Sequence, residues 1–97
     1  MPGKKFSASL AIHSDTPSAI RPLLEKRFGA AAVRAGERAG EFLIFATLEG
    51  ATARDLNRDL LSELRRAEKR TRLRSEWTAE GVTERFFDYV SKGSRRT

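Results

Sequence analysis

Apolar and polar side chains alternate in two stretches of the chain. Over residues 5–12 every second residue is apolar, namely Phe6, Ala8, Leu10 and Ile12. Successive side chains of a strand point to opposite faces, so this pattern predicts a strand with one buried face. A second stretch, residues 41–49, has Phe42, Ile44, Ala46 and Leu48 on one face and Leu43 and Phe45 on the other. Apolar residues on both faces are typical of a central strand that is covered on both sides.

Helical spacing of apolar residues predicts a helix after the first strand. Its apolar stripe consists of Ile20, Leu23, Leu24 and Phe28. Thr16 and Pro17 match an N-cap followed by proline at the first helical position, and Gly29 stands where a left-handed cap residue belongs. Pro22 lacks an N–H, so the regular helix is expected to begin nearer Ala19. Residues 31–35 then predict a short, weak strand, and residues 36–40 a loop.

A longer amphipathic helix is predicted after Gly50. Its apolar positions are Ala53, Leu56, Leu60, Leu61, Leu64 and Ala67. Thr52 with Asp55 three residues later has the form of a capping box, in which side chains satisfy free backbone N–H groups.

Residues 72–90 allow two interpretations. Alternation at Leu73, Ser75 and Trp77, a type I turn over residues 78–81 and a β-rich segment over 82–90 indicate a hairpin. That hairpin would set Trp77 opposite Val82 and Leu73 opposite Phe86. The alternative is a third helix over 82–90 that ends at Gly93. The hairpin is favoured.

The predicted order of elements is β-α-β-β-α-β. It indicates one α+β domain over residues 1–97, a two-layer sandwich with two helices on one face of an antiparallel sheet. The architecture is ferredoxin-like or close to it, with room for an extra C-terminal hairpin strand. Residues 1–4 and 94–97 are expected to be disordered.

Composition restricts the classes of function. A chain of 97 residues has little room for a deep active-site cavity. It contains no cysteine, which fits a cytoplasmic protein, and no apolar run long enough to span a bilayer, so no membrane partner is expected. Its single histidine, scattered glycines and helix-surface acids form no catalytic, metal-binding or nucleotide-binding pattern. We therefore expect no enzymatic activity, no metal and no cofactor.

The net charge of +6 is concentrated near the end of the second helix. Residues 65–74 contain six basic residues and one acid. Such a concentration suits a polyanion, most often nucleic acid. The candidate nucleic-acid-binding residues are Arg65, Arg66, Lys69, Arg70, Arg72, Arg74, Lys92 and Arg95. The alternative is that these cations favour the helix dipole and keep the protein solvated.

The apolar second face of the central strand requires a cover. The C-terminal hairpin could supply it, or a second copy of the chain or another protein could. The candidate partner-interface residues are Leu43, Phe45, Trp77, Phe87 and Tyr89. Trp77 and Tyr89 also lie close in sequence to basic residues, a combination that suits RNA, because bases stack on rings while phosphates bind cations.

Residues 5–70 resemble the small CTAG-type subunit of the KEOPS complex, which assists threonylcarbamoylation of tRNA. The resemblance rests on the strands 7–12 and 42–44 and the helices 19–24 and 56–64, the last with leucines around an asparagine. It implies a non-catalytic protein that dimerises and docks on a kinase-like catalytic subunit through its helices. By this resemblance Leu56, Asn57, Leu60 and Leu64 would be core and docking positions.

Two hypotheses follow for the function. The first is a small basic accessory protein, not an enzyme, that binds RNA such as tRNA, or an RNA-handling complex that modifies tRNA. The alternative is a protein-interaction module or homodimer that does not bind nucleic acid.

Overall fold

The protein is an α+β domain with a mostly two-layer architecture. The computed structural model describes the backbone of residues 3–96 and the side chains of residues 3–93. Its elements are β1 (Lys4–His13), α1 (Pro17–Phe28), a 3₁₀ turn (Ala30–Ala32), β2 (Arg34–Ala35), β3 (Glu41–Gly50), α2 (Ala53–Ala67), β4 (Arg72–Ala79), β5 (Val82–Phe87) and β6 (Val90–Arg96). The predicted fold class is confirmed.

The sheet is antiparallel, and its strands lie in the order β2-β3-β1-β4-β5-β6. In each β-α-β unit of the first four strands, the two strands flank a third one. This arrangement is that of the ferredoxin-like fold, and β5 and β6 extend it beyond β4.

The core lies between the helices and one face of the sheet. The apolar side chains of β1 and β3 pack there against buried residues of α1 and α2, namely Ile20, Leu24, Leu60, Leu61 and Leu64. Full burial of each such side chain contributes about 1.5–3 kcal/mol of hydrophobic free energy. The alternating pattern therefore fixes which face of the sheet the helices cover.

The two helices start differently. Thr16 is the N-cap residue of α1, as predicted, but its side chain forms no capping hydrogen bond. Thr52 Oγ1 accepts a hydrogen bond from the backbone N–H of Asp55 at 3.0 Å, which is one of the two bonds of the predicted capping box. The expected start of α1 near Ala19 is wrong, because α1 begins at Pro17 and contains Pro22. Ser18, whose carbonyl Pro22 cannot bond, is exposed, so water can replace the missing donor.

The connection between α1 and β3 differs from its prediction. The expected strand over residues 31–35 is a 3₁₀ turn followed by the two-residue β2. Alanine has little β preference, and Gly29, with φ of 89°, redirects the chain before the alanines. Val33 is half-buried against the core and anchors this segment.

The hairpin interpretation of residues 72–90 is confirmed, but its predicted register is wrong. Trp77 lies opposite Glu84, not Val82, and Phe86 lies opposite Ser75, not Leu73. The connection is the two residues Glu80 and Gly81, with φ values of 54° and 77°. Positive φ at both positions is characteristic of a type I′ turn, whose twist fits a tight hairpin better than a type I turn does.

The C-terminal segment forms a further strand. The segment predicted to be extended up to residue 90 ends at Phe87, because Asp88 adopts a positive φ of 55° and begins a turn. The chain then returns as β6 along β5. Of the ends expected to be disordered, Lys4 begins β1 and residues 94–96 belong to β6, whereas residues 1, 2 and 97 lie outside the described residues.

Within residues 3–96 neither helix is long and apolar enough to cross a bilayer.

Candidate functional site

The face of the sheet that does not contact the helices is called the open face. The strand register determines which residues are neighbours on it. Residues paired across antiparallel strands lie side by side on one face. Across β3, β1, β4 and β5 the register sets Leu43 beside Ala11, Arg74 and Phe87, and Phe45 beside Ser9, Glu76 and Arg85. Towards one end of the sheet Glu41 pairs with His13 and His13 with Arg72. The central strand β1 therefore presents small side chains between larger ones.

The apolar side chains of β3 remain uncovered on the open face. Phe45 is 68% exposed, and Leu43 is half-buried. The C-terminal hairpin was one predicted cover, but it continues the sheet edge to edge through β4, β5 and β6. Among the described residues, no element packs over Phe45, so this face is open to a ligand or partner.

The predicted partner interface is only partly assembled. Leu43, Phe45 and Phe87 share the open face. Trp77 does not belong to it, because the side chain is 0% exposed under α2. Its alternation with Leu73 directs it into the core, where its indole N–H donates to Ser75 Oγ at 3.0 Å.

Tyr89 also lies outside the open face. Its hydroxyl is 3.2 Å from that of Ser62 on α2, and the Arg65 guanidinium lies 5.3 Å from the centre of its ring. The turn that begins at Asp88 places Tyr89 on the helix side of the sheet, which sequence spacing alone does not reveal.

A groove of about 510 Å³, called the aromatic groove, runs along the open face. Ser9 and Ala11 form its floor, with Leu43 and Phe45 on one side and Arg74 and Phe87 on the other; Glu76, Arg85 and Lys92 also line it. Lys92 Nζ lies 5.9 Å from the centre of the Phe87 ring. The guanidinium of Arg72 lies 4.9 Å from the same ring centre and forms a cation–π contact with it. The groove thus combines an exposed aromatic ring with a cationic rim.

A second concavity, called the basic cleft, adjoins the groove at the end of the sheet. It encloses about 630 Å³. Its cations are Arg38, Arg65, Lys69, Arg70, Arg72 and Arg74, and its carboxylates are Asp15, Glu41 and Asp88. They come from the connections β1–α1, β2–β3, α2–β4 and β5–β6, from the last turn of α2, and from β3 and β4. Ala11, Arg74 and Phe87 line both concavities, so the two surfaces are continuous.

Two cations of the basic cleft are held in place by contacts within the protein. Arg65 Nε donates to the carbonyl of Thr71 at 2.9 Å, and its guanidinium lies 3.4 Å from Asp88. Arg72 Nε donates to the same carboxylate at 2.9 Å. Asp88 also accepts from the backbone N–H of Leu73 at 2.9 Å, and its side chain is only 17% exposed. Arg65 and Arg72 therefore fasten the turn before β6 to α2 and β4.

The other cations of the basic cleft are less constrained. Arg70 lies 3.8 Å from Asp15, and Arg74 lies 3.7 Å from Glu41. Arg70 and Asp15 are 82% and 58% exposed, and an exposed pair of this kind contributes little stability. Arg74 is 64% exposed, but its partner Glu41 is only 10% exposed. Arg38 and Lys69 are exposed and form no salt bridge within residues 3–93. Arg38, Lys69 and Arg70 can rearrange around an anion at low cost. Arg74 can contact an anion while it stays paired with Glu41, because a guanidinium has five N–H donors.

The remaining candidate cations lie elsewhere. Arg66 is exposed on α2 and does not line the basic cleft. Lys92 lines the aromatic groove instead. The backbone of Arg95 pairs with Thr83, but its side chain lies outside the described residues. Arg38 and Arg85 were not among the candidates; alternation with Phe87 on β5 was a signal for Arg85, whereas Arg38 lies in an irregular loop.

The side chains next to the single histidine lie in two different environments. The consecutive residues His13, Ser14 and Asp15 diverge: Ser14 is buried and its Oγ donates to Glu68 at 3.1 Å, while His13 and Asp15 line the basic cleft. Within residues 3–96 no three His, Asp or Glu side chains are grouped as a metal site would require.

The residues that the CTAG resemblance implies for docking are largely internal. Asn57, Leu60 and Leu64 are at most 1% exposed, and Leu56 is half-buried against the core. All four are core positions, and the side chains of Asn57, Leu60 and Leu64 are too deeply buried to contact a partner in the folded chain.

Comparison of the chain with protein-family models, with curated proteins and with solved structures gave no match. The resemblance to CTAG-type subunits therefore stays a prediction.

Proposed function

We propose that this protein is a non-enzymatic accessory protein that binds RNA through the basic cleft and the adjoining open face. The observation that carries the proposal is the grouping of Arg38, Lys69, Arg70 and Arg74, all exposed, around one concave surface. Phosphate groups bind such side chains by charge-assisted hydrogen bonds. Because of the resemblance to CTAG-type subunits, tRNA and a tRNA-modification complex are the partners to test first.

The four exposed cations of the basic cleft determine how strongly RNA affinity should depend on salt concentration. Each phosphate contact to a single strand contributes about −0.7 to the slope of log affinity against log salt concentration. Four contacts give a slope of roughly −3, so affinity should fall about 50-fold between about 50 and 200 mM salt.

Fluorescence anisotropy tests the proposal directly. Labelled tRNA and a labelled unstructured RNA are titrated with the protein at the two salt concentrations. We expect binding at the lower salt concentration and an affinity about 50-fold weaker at the higher salt concentration. If neither RNA binds at low salt, the proposed function is wrong.

A second candidate is a protein-interaction module, in particular a homodimer that pairs the open faces. The exposure of Phe45 at 68%, next to Leu43, favours it. A stable protein–protein interface buries about 800 Å² on each partner, and Phe45, Leu43 and Phe87 contribute apolar side chains to the open face. Sedimentation velocity over a wide concentration range tests this candidate, and a sedimentation coefficient that does not change from the monomer value excludes it.

A further inference from the structure

We infer that the aromatic groove is a base-stacking site, so the ligand is single-stranded RNA whose phosphates occupy the basic cleft. The inference rests on the proposed function and specifies its substrate class. It starts from Phe45, whose ring is 68% exposed on the open face beside the small side chain of Ser9.

The shape of the groove suits one flat ring. Neighbouring strands are about 4.8 Å apart, so β3 and β4, which flank β1, are separated by roughly 9.6 Å. Between them β1 presents only Ser9 and Ala11. A base that lies between two flat groups needs roughly 7 Å, twice the stacking distance of about 3.4 Å. The groove therefore has room for a base on the floor of Ser9 and Ala11, beside the Phe45 ring and diagonally across β1 from Arg74.

The charge around the groove favours a nucleotide over a second copy of the chain. Arg74 and Lys92 flank the floor of small side chains. Among the described residues, the one carboxylate that lines the groove is Glu76, which lies 3.5 Å from Arg85. In a two-fold symmetric dimer the same patch meets itself, which would bring these cations towards their own copies. A base with a phosphate on each side instead places its ring on the floor and its charges at the cationic rim.

The continuity of the two concavities gives the strand a path. Arg74 and Phe87 line both surfaces. The row of residues through His13 and the row through Ala11 are two residues apart along β1, which is about 7 Å. A phosphate held in the basic cleft thus brings the next base within reach of the groove. In a duplex the bases are paired and stacked inside, so a duplex can use the cleft but not the groove.

The test compares a labelled 12-nucleotide single-stranded RNA with a labelled RNA hairpin whose stem is fully paired. Phe45→Ala and Phe45→Leu remove the ring, and the leucine variant retains an apolar side chain. Thr47→Ala, on the same face of β3 and also exposed, is the matched control. Since Phe45 is mostly exposed, all three variants are expected to fold, which circular dichroism verifies.

We expect both Phe45 variants to lose about 5- to 150-fold in affinity for the single strand, the usual effect of removing a stacking ring. The affinity of both Phe45 variants for the paired stem should change less than twofold. The affinity of Thr47→Ala for either RNA should also change less than twofold. Fluorescence of a 2-aminopurine base in the single strand should be quenched by the wild type and not by Phe45→Ala.

Other outcomes overturn the inference in distinguishable ways. If Phe45→Ala leaves single-strand affinity unchanged while Lys69→Gln/Arg70→Gln weakens both RNAs equally, the groove does not stack bases, although RNA binding stands. If Phe45→Ala instead converts a dimer into a monomer without affecting RNA affinity, the groove is a self-association surface. If the wild type binds neither RNA at low salt, the proposed function fails together with the inference.

Discussion

Replacement of Arg65 by glutamine should destabilise the fold, whereas the same replacement at Arg66 should not. Both residues lie in the last turn of α2. Glutamine and arginine have similar helix propensities, and each substitution removes one charge that interacts favourably with the helix dipole. The two variants therefore differ mainly in tertiary contacts: Arg65 makes several, and Arg66 is exposed.

The size of the effect follows from the contacts of Arg65. Its hydrogen bond to the carbonyl of Thr71, 2.9 Å long, is charge-assisted, a class that contributes about 1.5–3 kcal/mol. The cation–π contact with Tyr89, at 5.3 Å, adds about 0.5–1 kcal/mol. The pair with Asp88 adds little more, because this carboxylate keeps its bonds to Arg72 and Leu73. Since these contributions overlap, we expect Arg65→Gln to lower the free energy of unfolding by about 2–3 kcal/mol.

Urea denaturation followed by circular dichroism measures the difference, and thermal melting provides a second estimate. A loss of about 2–3 kcal/mol corresponds to a decrease in Tm of roughly 10–20 °C for a domain of this size. Arg66→Gln should stay within about 0.5 kcal/mol of the wild type. If the two variants are equally stable, Arg65 does not fasten the end of α2, and its assignment as a structural residue is wrong.

Two further substitutions test the fold around the site. Asn57 is 1% exposed, donates to the carbonyl of Asp88 at 2.7 Å and accepts from Ser75 Oγ at 2.6 Å. Asn57→Ala should therefore cost about 2–5 kcal/mol of unfolding free energy in urea denaturation, and a loss below about 1 kcal/mol would contradict this. Gly40 has φ of 78°, and an added Cβ would lie 2.5 Å from the carbonyl oxygen of Ser14. Gly40→Ala should cost about 2 kcal/mol or more, and an unchanged Tm would show that the loop beside the basic cleft adapts.

Local patterns were sufficient to predict most of the fold. Alternation at Phe6–Ile12 and at Phe42–Leu48 is set by the period of a strand, so the strands and their buried face could be derived without long-range information. Capping by Thr52 is equally local, because it involves residues three positions apart. These features depend only on neighbouring residues, and the structure confirms them.

The site could be predicted only in part, because it depends on strand register and turn conformation. The left-handed conformation of Asp88 moves Tyr89 to the helix side, and no residue-type pattern signals it. Trp77 was assigned to an interface, although its alternation with Leu73 already placed it on the buried face. The cluster over residues 65–74 was identified as a whole, but only tertiary contacts separate Arg65 and Arg72 from Lys69 and Arg70.

The most direct test of RNA binding at the basic cleft is a salt titration with matched charge variants. Lys69→Gln/Arg70→Gln removes two exposed cations from the cleft. Lys26→Gln/Arg54→Gln removes two exposed cations that do not line it, so the two double variants have the same net charge.

Binding of labelled single-stranded RNA is measured by anisotropy at several salt concentrations for the wild type and both double variants. Two lost phosphate contacts should make the salt slope shallower by about 1.4 and weaken binding roughly 25-fold near 0.1 M salt. The control pair should retain the wild-type slope and bind within about threefold of it, because charges beyond a Debye length of about 10 Å are largely screened at that salt concentration. Equal losses in the two double variants would contradict a defined site, since they would show that only the net positive charge attracts RNA.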